Sequence, residues 1–104
     1  MKVIKVIEKE VEADEVVSLD LCNNQEGSTV VSEVYIDLSA DNTVVVESSV
    51  DGVNWHAQTV VDMGGFKTVE EISEAGYYLI PTAGLAKLSM TFGSAGNVVI
   101  KENY

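Results

Sequence analysis

The chain has 104 residues, enough for one domain with its own core, and its 46% apolar content is too high for a disordered chain. Its formal net charge is −11, from 17 acidic residues against six lysines and no arginine. That balance repels phosphate backbones and anionic lipid and leaves no guanidinium to clamp a phosphate or carboxylate, so nucleic acid and membrane surfaces are excluded as partners.

The amino terminus, MKVIKVIEKEVE, has neither the apolar run nor the cleavage site of a signal peptide. Synthesis and folding in a reducing cytoplasm are therefore expected. Val3, Ile4, Val6 and Ile7 place apolar groups on both faces of one extended segment. A strand covered on both sides would do so, as would one that docks on or swaps into a second subunit; residues 1–10 are the candidate assembly strand. A turn signal at 12–14 is followed by a segment in which Val17, Leu19 and Leu21 share a face, with Ser18 and Asp20 opposite. Cys22 is the single cysteine, which excludes an intrachain disulfide and a thiolate zinc site.

After a polar turn at 23–27, Val30, Val34, Ile36 and Leu38 point inward, and Glu33 and Asp37 outward. Residues 44–61, VVVESSVDGVNWHAQTVV, form two alternating runs joined at Asp51-Gly52, the residue pair favoured in two-residue hairpin turns. Val44 and Val46 continue the core face. In the second arm Val53, Trp55, Ala57 and Thr59 share one face, and Asn54, His56 and Gln58 the other; this phase turns Trp55 into the core. Residues 66–75 lie between Gly65 and Gly76, too short a span for a stable helix despite the capping-box spacing of Thr68 and Glu71. An irregular strand or one short turn is expected there. Tyr77 and Tyr78 must face opposite sides, so one of them is exposed; Tyr78 is taken as the candidate binding tyrosine. Ala86, Leu88, Met90 and Phe92 alternate with polar residues, as do Val98 and Ile100.

Eight or nine strand-length segments separated by regular turn signals predict an all-β fold: one antiparallel β-sandwich, jelly-roll-like, spanning 1–104, with one wet face per sheet. Catalysis is not expected. A triad needs a histidine beside a serine and a carboxylate, and His56, the only histidine, sits mid-strand without them. Glu70 and Glu71, adjacent in extended chain, point apart and cannot share a substrate. Gly64-Gly65 lacks the lysine and helix of a phosphate loop. Asp41, Asn42, Asp51 and Asn54 offer oxygens to calcium, but they match no calcium loop and are also ordinary turn formers, so no metal site or cofactor is assigned. The aromatic set Tyr35, Tyr77, Tyr78 and Tyr104 suits an interaction patch.

The run SSVDGVNWHAQTV followed by EAGYYLIPTAGLAKLSMTFGSAGNVVIKE resembles small β-sandwich proteins of tailed-phage virions, over residues 42–102. In these, an S-x-D-G-x-x-W hairpin (Ser49, Asp51, Gly52 and Trp55 here) precedes a Gly-Tyr-Tyr strand; Lys87 stands near the place where they often carry arginine. The resemblance implies a non-enzymatic capsid auxiliary, decoration or tail- or fibre-associated protein that sits in the virion, contacts other virion proteins and forms homo-oligomers. The same turn resembles discoidin-like carbohydrate-binding sandwiches. That implies the alternative, a carbohydrate-binding module whose candidate ligand residues are Asp51, Asn54, Trp55, His56 and Tyr78.

Overall fold

The computed structural model describes residues 4–21 and 31–103, and every regular element among them is a strand. Val3, Cys22, Val30, Tyr104 and the turn at 23–27 lie outside the described residues. The ten strands are β1 (Ile4–Val11), β2 (Val16–Asp20), β3 (Glu33–Leu38), β4 (Val44–Ser49), β5 (His56–Ala57), β6 (Val60–Asp62), β7 (Lys67–Val69), β8 (Gly76–Pro81), β9 (Lys87–Phe92) and β10 (Gly96–Asn103). They form two antiparallel sheets, in the orders β1-β10-β3-β8-β6-β7 and β2-β9-β4-β5.

Four of the pairings are nested, one inside the next. β4 pairs with β5, β3 with β8, β2 with β9 and β1 with β10. The chain is thus one long two-stranded ribbon, folded back at the loop after β4 and wound so that successive ribbon segments fall in alternate sheets. That is the jelly-roll topology, with β6 and β7 inserted on the β8 edge of the larger sheet. The strand number exceeds the expected eight or nine because the second hairpin arm divides between sheets. β5 stays with β4, and the chain crosses at Thr59 so that β6 joins β8.

Alternation builds the core as the sequence pattern predicts. Leu19, Leu21, Val34, Ile36, Leu38, Val44, Val46, Leu88, Met90, Phe92, Val98 and Ile100 are all buried. The segment after β7 contains no helix; Ile72 enters the core and exchanges both backbone hydrogen bonds with Val44, at 2.9 and 3.2 Å, tying the crossover to the smaller sheet. Thr82, also fully buried, donates its hydroxyl to the Val31 carbonyl at 2.9 Å.

Candidate functional site

The first candidate region is the ribbon tip, residues 50–55. Asp51-Gly52 is not a two-residue hairpin turn: the ladder ends at Ser48 opposite His56, and the loop is held from its own side chains. Asp51 Oδ1 accepts hydrogen bonds from the Ser49 hydroxyl (2.9 Å) and the amides of Val53 and Asn54 (both 2.8 Å). Its Oδ2 accepts from Asn54 Nδ2 at 2.7 Å, and the Gly52 amide donates to Ser49 Oγ at 2.8 Å. Donors from the Asn54 and Val53 amides hold the Asp51 carboxyl well below the usual carboxylate range. Gly52 takes the positive φ (82°) that closes the loop.

This local network overrides strand alternation, and the core placement expected for Trp55 is wrong. Val53 is 76% exposed and Trp55 38%, with Val50 also exposed. Asn54 and His56 are exposed as expected, and Ala57, expected inward, is exposed too. The Asp51 carboxylate, Trp55 and His56 therefore share one solvent-facing loop and strand start. Asp41 and Asn42 lie at the other end of β4, about 20 Å away at the rise of a six-residue strand, and cannot share an ion with Asp51. Asn42 is bound to Ser94 and Asp41 to the Ala75 amide.

The second region is the outer face of the larger sheet. Here Tyr78, chosen from sequence as the exposed tyrosine, is buried, with its hydroxyl donating to the Glu74 carbonyl at 2.8 Å. Tyr77 is the outward one. Periodicity of two says that neighbours point apart; it does not say which side is packed. β8 lies between β3 and β6, and its even-numbered residues face the smaller sheet.

Register then assembles a row that sequence reading missed. Val6 is opposite Lys101, Lys101 opposite Tyr35, Tyr35 opposite Leu79, Leu79 opposite Val61, and Val61 opposite Thr68. These residues all point outward and cross six strands, about 24 Å at the usual strand spacing. Tyr35 and Tyr77 stack with centroids 5.1 Å apart and planes 13° from parallel, and Lys101 Nζ lies 5.4 Å from the Tyr35 centroid. Tyr35 donates its hydroxyl to Glu33 at 3.3 Å; burial, with the negative charge of Glu33, raises its pKa above the usual phenol value. Glu8, Val99, Asp37 and Tyr77 form the adjoining row, so the apolar belt has an acidic border. The smaller sheet differs from it: its central outward row is Ser18, Ser89, Glu47 and Ala57, with Val16, Thr91 and Val45 in the row beside it.

The third region is the lateral edge. β1 pairs with β10 and has its other edge open among the described residues. Val6 is 56% exposed on the outer side, while Ile7 packs against the core. Thus Val6 and Ile7 do occupy opposite faces, and only the inner one is covered among the described residues. A groove of about 470 Å³ separates β1 from β2, lined by Lys5, Ile7, Lys9, Val17 and Leu19 among others, with Lys9 bonded to Glu15 at 3.0 Å.

No family model matches this chain, and no curated protein matches its sequence. Two solved structures share its fold. The SPBc2 prophage-derived protein YomS superposes with a TM-score of 0.73 at 12% identity, over 99% of this chain and 93% of that one. The PBSX exported protein XepA gives 0.70 at 10% identity, over 97% of this chain but only 38% of its own length. At these identities the likeness is one of fold.

Proposed function

We propose that the chain is a non-enzymatic structural component of a phage particle, a capsid auxiliary or tail-associated protein that acts by docking on other virion proteins and on copies of itself. The observation that carries this reading is the belt from Val6 to Val61. One sheet face carries the Tyr35–Tyr77 stack with Leu79 and Val61 and has an acidic border, while the smaller sheet shows Val16 and Val45 beside Ser18, Ser89 and Glu47, and its strands turn no Phe, Tyr or Trp outward. Interfaces favour aromatic centres with polar rims, and a soluble monomer has no need for such asymmetry. The prophage origin of the fold neighbour YomS supports the virion setting. The expected partner presents apolar side chains ringed by lysine or arginine, because the belt's border and the net charge of −11 are both acidic. The test is density-gradient co-sedimentation with assembled particles. The wild type is expected to travel with them, and a Tyr77→Glu/Leu79→Glu variant to stay at the top. Equal behaviour of the two proteins overturns the reading.

A second reading, a carbohydrate-binding module, is favoured by one observation: Trp55 is at the surface, on a loop whose shape is set by Asp51. An exposed indole offers an apolar face to a sugar ring, and Asn54 and His56 supply hydrogen-bonding groups beside it. Trp55→Ala is expected to leave the melting curve nearly unchanged and to abolish any signal on a glycan array. A wild-type protein silent on the array removes this reading.

A further inference from the structure

We infer that the open edge of β1 is a self-association site, on which a second copy adds its own β1 antiparallel about a two-fold axis through Val6. This rests on the assembly reading and names the partner at that edge.

Three observations select it. The first is that the two lateral sides of the sandwich differ. One is bounded by β5 and β7, two and three residues long, too short to template a partner strand. The other is bounded by β1, eight residues long and, with β10, the longest strand described. An edge of that length has no match on the opposite side, so head-to-tail addition is ruled out and pairing of like with like remains.

The second is charge, which leaves a single register. A two-fold axis perpendicular to the sheet keeps inner faces together and outer faces together, so only residues of equal parity can be opposed. Lys5, Ile7, Lys9 and Val11 face inward, and Val6, Glu8 and Glu10 face outward. Centring the axis on Lys5, Lys9, Glu8 or Glu10 sets that residue against its own copy. Centring it on Ile7 sets Lys5 against Lys9 twice. Centring it on Val6 opposes Val6 to Val6, Lys5 to Ile7 and Ile4 to Glu8, with no like charges directly opposed. Centring it on Ile4 or Val11 pairs that residue with its own copy and no other residue of β1. Directly opposed like charges destabilise a ladder, so among registers that pair three or more residues of β1 these lysines and glutamates reject every one but that on Val6.

The third is continuity. In that register the outward row Val61, Leu79, Tyr35, Lys101, Val6 runs through the axis into the same row of the partner, and the exposed Val6 side chain is covered by its copy. The apolar belt then spans both copies as one docking surface.

Cysteine cross-linking in a Cys22→Ser background tests it. Opposed residues of an antiparallel pair have Cα atoms about 4.5–5.5 Å apart, within disulfide reach. Val6→Cys is expected to give a covalent dimer on mild oxidation, and Glu8→Cys to remain monomeric. Light scattering is expected to give a dimer for the wild type and a monomer for Val6→Lys. A monomeric wild type, or cross-linking at Glu8 as efficient as at Val6, overturns the proposal. Should the Val6→Lys chain fail to fold, the cross-linking pair alone decides. A cross-linked dimer that ignores particles would sink the virion reading and leave the self-association standing.

Discussion

Tyr77 and Tyr78 are chemically identical neighbours, and truncating them is expected to have unequal costs. Tyr78 is 4% exposed and part of the core, where removing an aromatic ring costs about 3–5 kcal/mol. Its hydroxyl donates to the Glu74 carbonyl at 2.8 Å, and losing that bond alone, as in Tyr78→Phe, costs about 1 kcal/mol. Tyr77 is 41% exposed and gains chiefly from its stack on Tyr35, a contact worth about 1 kcal/mol. For a domain of this size each kcal/mol moves Tm by about 4–8 °C, so Tyr77→Ala is expected to lower it by about 5 °C and Tyr78→Ala by about 20 °C. Thermal unfolding followed by circular dichroism reads both shifts, and urea titrations with unchanged m-values confirm the two-state comparison. Equal losses, or a larger loss for Tyr77, would refute the assignment of faces on β8 and with it the belt.

Two further outcomes follow from the loops. The Asp51 carboxyl titrates below its ordinary value of 3.8 only when folded, so the unfolded chain takes up its proton first as pH falls. The Asp51 contribution is therefore complete above that value and is lost progressively below it. Asp51→Asn should lower stability at neutral pH and flatten the acid limb of a stability-against-pH curve; an unchanged limb would show that the network does not hold in solution. Phe66 adopts φ 52° while 80% exposed, a strained conformation for a bulky side chain with little packing in return. Phe66→Gly is expected to raise stability by up to about 1 kcal/mol in chemical denaturation, and a loss would reveal a contact that its ring makes.

The alternation of Val17, Leu19 and Leu21, of Val34, Ile36 and Leu38, and of Leu88, Met90 and Phe92 is legible without coordinates, because burial on one side of a pleated strand imposes a period of two. From it came the fold class and most of the core. The ribbon tip was misread for a local reason. Asp51 offers the amides of Val53 and Asn54 a partner that a strand ladder would otherwise have supplied, so Val53 and Trp55 leave the alternation and reach solvent. Tyr78 was misread for a non-local one: which face of a strand is inside depends on the sheet that packs against it. The belt belongs to the same kind. Val6, Lys101, Tyr35, Leu79 and Val61 are scattered from one end of the sequence to the other, and only the strand order β1-β10-β3-β8-β6 brings them into one row. Sequence alone determined the core stripes of the regular strands, such as Val34, Ile36 and Leu38 or Leu88, Met90 and Phe92, since transfer from water is a property of each side chain and the pleat repeats every two residues. Tertiary structure decided which strands are neighbours and which edge stays open, because those depend on contacts between residues that the chain itself keeps far apart.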